Sequence, residues 1–294
     1  MEVIHTVEWM KQVARQARDQ CRLVGFVPTM GALHAGHLSL VEAARRETSP
    51  VVVSIFVNPR QFGPAEDYAK YPRDLDHDRG LLERAGMDVL FSPPPEEMYP
   101  AGFCTSVSVE GLGDRLEGRV RPGHFRGVTT VVLKLLEIVG PRFAYFGRKD
   151  AQQARIIRQM ARDLALDAEI SVCPIVREPD GLAMSSRNRY LSPEERRAAA
   201  VLYRSLDRAR QTIATGERDT VRVVESIRSV LATEPLAVPD YVEIVDADSL
   251  ETVIRLRGTC LILLAVRIGK TRLIDNLLVE VSDVTGAAAA RCVL

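Results

Sequence analysis

Short apolar runs alternating with helix-spaced segments constrain the fold of this chain more than any other feature. Leu23–Val27, Val51–Val57, Asp88–Phe91, Arg142–Phe146 and Glu169–Cys173 read as strands. Val51–Val57 is a β-branched and aromatic run of the kind found in strands covered on both faces. Between them lie helical stretches: Val7–Asp19, a segment starting near Ala35, Asp74–Ala85 closed by Gly86, Val128–Val139 stopped by Gly140-Pro141, and Gln152–Leu164. Strands alternating with helices imply right-handed crossovers and a parallel sheet with helices on both faces, a Rossmann-like, doubly wound α/β domain. Thr105–Val109 alternates like an edge strand, and Pro93-Pro94-Pro95 marks a loop.

The pattern changes past Arg177. Ser192-Pro193-Glu194-Glu195 has the N-cap, first-turn proline and capping-box glutamate of a helix start. Two amphipathic helices, Glu194–Ala214 and Asp219–Thr233, precede three strand-like runs, Tyr241–Val245, Cys260–Val266 and Arg272–Val281. This order predicts a smaller α+β lid domain with an antiparallel sheet, dividing the chain into residues 1–175 and 176–294. The tail from Gly286, rich in alanine, has no packing pattern and is expected to be mobile.

Composition narrows the class. With 294 residues and 46% hydrophobic content the chain can bury two cores. Lys+Arg and Asp+Glu both number 39, which gives no overall attraction to nucleic acid or to an anionic membrane. No apolar stretch approaches the ~20 residues of a membrane span, and the N-terminus lacks the apolar region of a signal peptide. Cys21, Cys104, Cys173, Cys260 and Cys292 are scattered singly, which fits reduced thiols and a cytoplasmic location.

The chemistry concentrates between the first run and the helix after it, in Gly25–Val41. Gly31 and Gly36 let backbone approach a ligand closely. A helix starting near Ala35 aims free N–H groups and its positive dipole end into the turn, which suits phosphate. His34 and His37, three apart, share one face of that first turn. A His-x-x-His pair is also half of a metal site. Zinc would need further ligands, and only His5, His77 and His124 remain, with no Cys-x-x-Cys. In a doubly wound sheet the loops after the strands converge at their carboxyl ends. Those loops carry Pro28, Thr29, Met30, His34 and His37; then Asn58 and Gln61; then Gly147, Arg148, Lys149, Asp150 and Gln153; then Arg177 to Asn188.

His34-Ala35-Gly36-His37 resembles the His-x-Gly-His signature of nucleotidyltransferases, which act at the α-phosphate of ATP. Over nearly its whole length the chain resembles the pantoate–β-alanine ligase family, the pantothenate synthetases. The matching segments are Pro28 to His37, Phe56 to Pro59 with Gln61-Phe62, Tyr71-Pro72-Arg73, Arg121 to Val128, Phe146-Gly147 with Lys149-Asp150, and Asp180 to Asn188. The resemblance implies a two-step ligase: pantoate attacks ATP to give pantoyl adenylate and pyrophosphate, and β-alanine then displaces AMP. It implies catalytic roles for His34, His37 and Lys149. Pro28, Met30, His37, Gly147, Lys149, Asp150, Val176, Met184, Ser185, Ser186 and Arg187 would bind ATP. Met30, Asn58, Gln61 and Gln153 would bind pantoate or β-alanine. It further implies Mg²⁺ held mainly by ATP and water, with Asp78 the candidate protein ligand and no metal ligand assigned, and a homodimer with neither nucleic-acid nor membrane partners.

Arg148, Ala151 and His77 depart from the family's usual residues, His77 standing where some relatives carry an acid near Mg²⁺. Two other classes compete: another adenylyl-transferring enzyme, which would not need Gln61, Gln153 and the Arg121–Val128 segment together, and a nucleotide sensor without turnover. A tRNA synthetase would need an anticodon-binding domain and a cationic surface.

Overall fold

The computed structural model describes residues 1–63, 68–282 and 289–294. The chain divides into two compact units, Met1–Arg148 with Gln152–Pro174, and Lys149–Ala151 with Ile175–Leu294.

The first unit runs β1 (Glu2–Ile4), α1 (Val7–Asp19), β2 (Gly25–Thr29), α2 (Ala35–Glu47), β3 (Val51–Ile55), α3 (Leu75–Arg84), β4 (Val89–Phe91), α4 (Pro95–Met98), α5 (Glu117–Val120), α6 (His124–Val139), β5 (Phe143–Gly147), α7 (Ala151–Asp163) and β6 (Glu169–Cys173). Its six strands form a parallel sheet in the order β1-β4-β3-β2-β5-β6. The chain builds outward from β2 through β3 to β4, then returns to lay β5 on the other side of β2. The order therefore reverses between β2 and β5, and at such a point the carboxyl ends of the strands open a ligand crevice.

Successive residues of the inner strands enter different cores. Phe26 and Val52 pack with residues of α1, α6 and α7, while Val27, Val51 and Val53 pack with Leu40, Val41 and Leu82 of α2 and α3. Burial on both faces is the reason these strands are continuously apolar.

Two expectations differ from the structure. Thr105–Val109 forms no strand. The Val107 N–H donates to Thr130 Oγ1 (3.0 Å), and its carbonyl accepts from Thr129 Oγ1 (2.6 Å), so α6 hydroxyls replace a ladder partner. The edge strands are β1 and β6, and the three residues of β1 are too few to show a period. α6 starts at His124, four residues before its apolar spacing begins at Val128. Gly123, with φ +82°, turns the chain into it.

The second unit contains α8 (Pro193–Ala199), α9 (Val201–Ala214), α10 (Thr220–Leu231), β7 (Ala237–Asp246), β8 (Gly258–Ile268), β9 (Thr271–Ser282) and β10 (Ala289–Val293). The strands make an antiparallel sheet in the order β10-β9-β8-β7, and α9 and α10 cover its apolar face with Leu202, Leu206, Ile213, Val223 and Ile227. The capping box is present: Ser192 Oγ accepts from the Glu195 N–H (3.2 Å) and Glu195 Oε2 from the Ser192 N–H (2.8 Å). The single helix expected over Glu194–Ala214 is two, separated at Ala200, where ψ is −13°. The tail also differs from expectation. Residues 286–288 lie outside the described residues, but Ala289–Val293 is a fourth strand paired with β9, with Cys292 opposite Val279. An alanine-rich edge strand adds ladder hydrogen bonds and little side-chain volume, so hydrophobic patterning does not reveal it. Among the described residues no helix is long and apolar enough to cross a membrane.

Candidate functional site

The turn after β2 is built before any ligand arrives. Thr29 Oγ1 donates to the Ser54 carbonyl (2.7 Å) and accepts from the Gly31 N–H (3.2 Å). Gly31 at φ +83° and Ala32 at φ +51° then reverse the chain through two left-handed residues. Glycine adopts that conformation freely, whereas alanine adopts it at a cost of about 1–2 kcal/mol. Asp78 of α3 holds the turn: its two carboxylate oxygens accept the N–H groups of Ala32 and Leu33, each at 2.8 Å. Asp78 is 1% exposed, and a carboxylate so buried is tolerated because charge-assisted bonds replace its hydration.

Directly beyond this turn His34 caps α2. His34 Nδ1 accepts from the Gly36 N–H (3.1 Å), and His37 Nδ1 accepts from the His34 N–H (3.3 Å). A ring nitrogen that accepts a backbone N–H carries no proton, so in each ring the proton sits on Nε2. The rings stack 4.1 Å apart at 33°. The capping box therefore fixes two imidazoles as neutral Nε2–H donors at a helix N-terminus, where the dipole also favours an anion.

Beyond β3, Asn58 caps a single 3-10 turn over Pro59–Gln61. The family resemblance gives Asn58 to substrate; its geometry gives it a positioning role. It is 1% exposed, and its Nδ2 donates to Gln61 Oε1 and to the Gly127 carbonyl, both at 3.1 Å. Its Oδ1 accepts from Tyr99 Oη (2.8 Å) and the Arg60 N–H (3.2 Å). Burial pushes the Tyr99 hydroxyl up to about 12, with the Arg60 guanidinium opposing, so Tyr99 remains a donor at neutral pH. Asn58 thus orients Gln61, whose Nε2 lies 2.8 Å from Met30 Sδ. The Arg121–Val128 segment holds the same turn from behind. His124 Nδ1–H donates to the Gln61 carbonyl (2.8 Å), and Arg121 Nη1 donates to His124 Nε2 (3.1 Å). Gly127 permits this approach, since a Cβ there would collide with the Arg60 carbonyl. Pro28 and Met30 lie at the β2 end of this crevice, both half-buried.

Gly147 ends β5 beside β2, and a Cβ on it would meet nothing within 4 Å. Gln153 is half-buried on the first turn of α7. Its neighbour Gln152, which the sequence reading did not single out, is 3% exposed and structural. It accepts the Glu117 N–H (3.0 Å) and donates to the carbonyls of Leu112 (3.0 Å) and Arg115 (2.8 Å).

The second unit carries the remaining candidates. Lys149 Nζ is 3.7 Å from Asp150 Oδ2, and the Lys149 carbonyl accepts from Asn276 Nδ2 (3.0 Å). The stretch read as a loop from Arg177 to Asn188 begins as a small hairpin: Met184 N–H donates to the Val176 carbonyl (3.0 Å), Arg177 pairs with Ala183, and Glu178 N–H donates to the Leu182 carbonyl (2.8 Å). The hairpin sets the positions of Val176 and Met184 against each other. Ser185 then caps the 3-10 turn Ser186–Tyr190, its Oγ accepting from the Arg187 N–H (3.3 Å). Arg177 fastens the hairpin to β9 through a two-point ion pair with Asp275 (2.7 and 3.0 Å), with side chains 14% and 1% exposed. Asp275 and Asn276 also escaped the sequence reading. Their signal was an adjacent polar pair inside the apolar run Leu273–Val279.

Among the described residues no three His, Cys, Asp or Glu side chains come together as a metal-holding group. Each oxygen of Asp78 already accepts one backbone N–H group, so its hold on the turn accounts for this buried carboxylate without a metal.

A doubly wound sheet with a histidine-capped helix at its switch point defines a phosphate-handling, nucleotide-dependent enzyme. The family model for pantoate-beta-alanine ligase matches residues 2–278. The chain belongs to that family. It is 57% identical over 281 residues to a pantothenate synthetase of Heliobacterium modesticaldum, covering 96% of this chain and 100% of the relative. It is 54% identical over 281 residues to that of Acetivibrio thermocellus, with the same coverage. The crystal structure of pantothenate synthetase from Thermus thermophilus superimposes with a TM-score of 0.90 at 49% identity, covering 94% of this chain and 98% of that one. A pantoate-beta-alanine ligase from Francisella tularensis, described as complexed with beta-gamma ATP and beta-alanine, gives 0.78 at 37% identity, covering 94% and 97%.

Proposed function

We propose that this chain joins pantoate to β-alanine in two steps driven by ATP. The pantoate carboxylate attacks the α-phosphorus of ATP, forming pantoyl adenylate and expelling pyrophosphate. The β-alanine amine then attacks the acyl carbon, forming pantothenate and releasing AMP. The observation that carries this reading is the His34–His37 pair, whose rings are both held with the proton on Nε2 by backbone bonds. Donors set in advance need no reorganisation as negative charge grows on the phosphate oxygens, and removing one such donor typically costs about 10²–10³ in rate.

The other roles follow from chemistry. Lys149 adds a compact positive charge to the phosphates. Gly147 and Asp150 serve the ribose, and Val176, Met184, Ser185, Ser186 and Arg187 complete nucleotide binding. Pro28 and Met30 shape the crevice. Gln61 and Gln153 read pantoate through neutral carboxamides that do not compete with Lys149 for charge. Asn58 acts through Gln61. Mg²⁺ enters with the phosphates of ATP, its hydration satisfied by phosphate and water. Unpaired cysteines support a reducing, cytoplasmic setting, and the family resemblance supports a homodimer.

Product analysis with ATP, pantoate and β-alanine tests the reading. Equal amounts of pantothenate, AMP and pyrophosphate are expected. ADP and phosphate would instead mean acyl phosphate chemistry and overturn it. Another adenylyl-transferring enzyme is disfavoured by the Asn58, Arg121 and His124 bonds that all converge on Gln61.

A further inference from the structure

We propose that Asp78 is a positioning residue for the nucleotide step, acting through the Gly31–Leu33 turn and not as a ligand of metal or substrate. The inference rests on the assignment of His34 and His37 to ATP phosphate. Asp78 lies 46 residues from Ala32 in sequence, on α3, and its side chain is buried. Its two oxygens bind two consecutive backbone N–H groups, at Ala32 and Leu33, which lead directly into the His34 cap. Space around the carboxylate is tight, since a Cβ added to Gly31 would lie 3.0 Å from Asp78 Oδ2. Ala32, at φ +51°, occupies a conformation that L side chains avoid, and the Asp78 bond to its N–H is part of what keeps it there. The start of α2, and with it the direction of both imidazoles, is thus set by one remote carboxylate. A small error in such placement lowers the rate steeply.

Asp78→Asn tests this, because one face of the new amide presents N–H to a backbone N–H. Pyrophosphate–ATP exchange without β-alanine should fall about tenfold to a hundredfold in kcat/KM for ATP. KM for pantoate and the Mg²⁺ concentration at half-maximal rate should stay within about twofold, the margin of a neutral change. Adding Ala32→Gly to Asp78→Asn should recover about fivefold, since glycine adopts φ > 0 without the alanine penalty. A metal-ligand role predicts no such rescue. Gly31→Ala leaves Asp78 intact and crowds it, and should reproduce the ATP-selective loss, so the outcome does not hang on one variant folding. His37→Ala is run in parallel. If it leaves exchange intact, the phosphate assignment falls. If it abolishes exchange while folded Asp78→Asn and Gly31→Ala keep normal ATP kinetics, only the role of Asp78 falls. A Mg²⁺ requirement that rises as far as the rate drops would make Asp78 a metal ligand and also overturn the proposal.

Discussion

The turn over residues 29–37 in the first unit and the hairpin over 176–188 in the second are both read as nucleotide-contacting, yet they are held differently. The turn is bound through its backbone: Asp78 takes two N–H groups, Thr29 a third, and the two histidine rings cap the helix that follows. The hairpin is bound through side chains at its base, by Arg177 to Asp275, and near its tip by Arg196 to Asp180. In its outgoing segment Ser185 Oγ accepts from the Arg187 N–H (3.3 Å) and Asn188 Nδ2 donates to the Ala183 carbonyl (3.2 Å). Backbone bonds to a buried acceptor fix geometry to a fraction of an ångström, as charge stabilisation at phosphorus requires. The hairpin's ion pairs, at its base and near its tip, anchor it to β9 and α8 through side chains and do not fix its backbone group by group.

The largest effect that would break this comparison lies at the hairpin base. Arg177→Ala or Asp275→Ala strands a buried charge and should destabilise the second unit by about 3–5 kcal/mol, read from urea unfolding followed by circular dichroism. The double change Arg177→Met/Asp275→Leu should cost much less. Single variants as stable as the parent would show that the anchor does not hold the hairpin.

Next in size is the pantoate end of the first unit. Gln61→Ala and Gln153→Ala should each lower kcat/KM for pantoate by about 1–3 kcal/mol while leaving ATP binding near normal, because a substrate group loses its partner in a dry site. Asn58→Ala should follow Gln61→Ala in pantoate kinetics and should lower the melting temperature as well. Unchanged pantoate constants in both glutamine variants would remove the assignment.

The smallest effect sharpens the view of the tip. The Arg196 hydrogen bond and charge hold the Asp180 carboxyl below its ordinary range. A carboxylate depressed in the folded state contributes stability that is present above the unfolded carboxylate pKa, near 4, and is lost as pH falls through the lower folded value. The pair is substantially exposed, so Arg196→Ala should cost under about 1 kcal/mol at pH 7. That difference from the parent should shrink as pH falls below the ordinary carboxylate range and through the lowered folded value, as acid unfolding curves would show. A difference persisting in acid would mean that Arg196 contributes by packing.

Much of this was legible in the chain. Helix α1, strand β6, the Ser192 cap and the histidine turn follow from local periodicity and cap chemistry, which need no distant partner. What was missed depends on partners far along the sequence. Asp78 looks like one acid in the charged stretch Asp74–Asp78 until α3 is laid against the β2 turn. The bonds that Asn58 makes to Tyr99, Gly127 and Gln61 join residues up to 69 positions apart and leave no local pattern in the sequence. Residues 105–109 have a strand's alternation, but α6 hydroxyls took their hydrogen bonds.

The central claim is that the first unit carries a preset phosphate site whose histidines drive formation of an acyl adenylate. Exchange of labelled pyrophosphate into ATP, with pantoate present and β-alanine absent, tests it most directly. The account predicts exchange that depends on pantoate and falls about 10²–10³-fold in His37→Ala and in Lys149→Ala. Exchange that begins only when β-alanine is added, or that survives both substitutions undiminished, would contradict it.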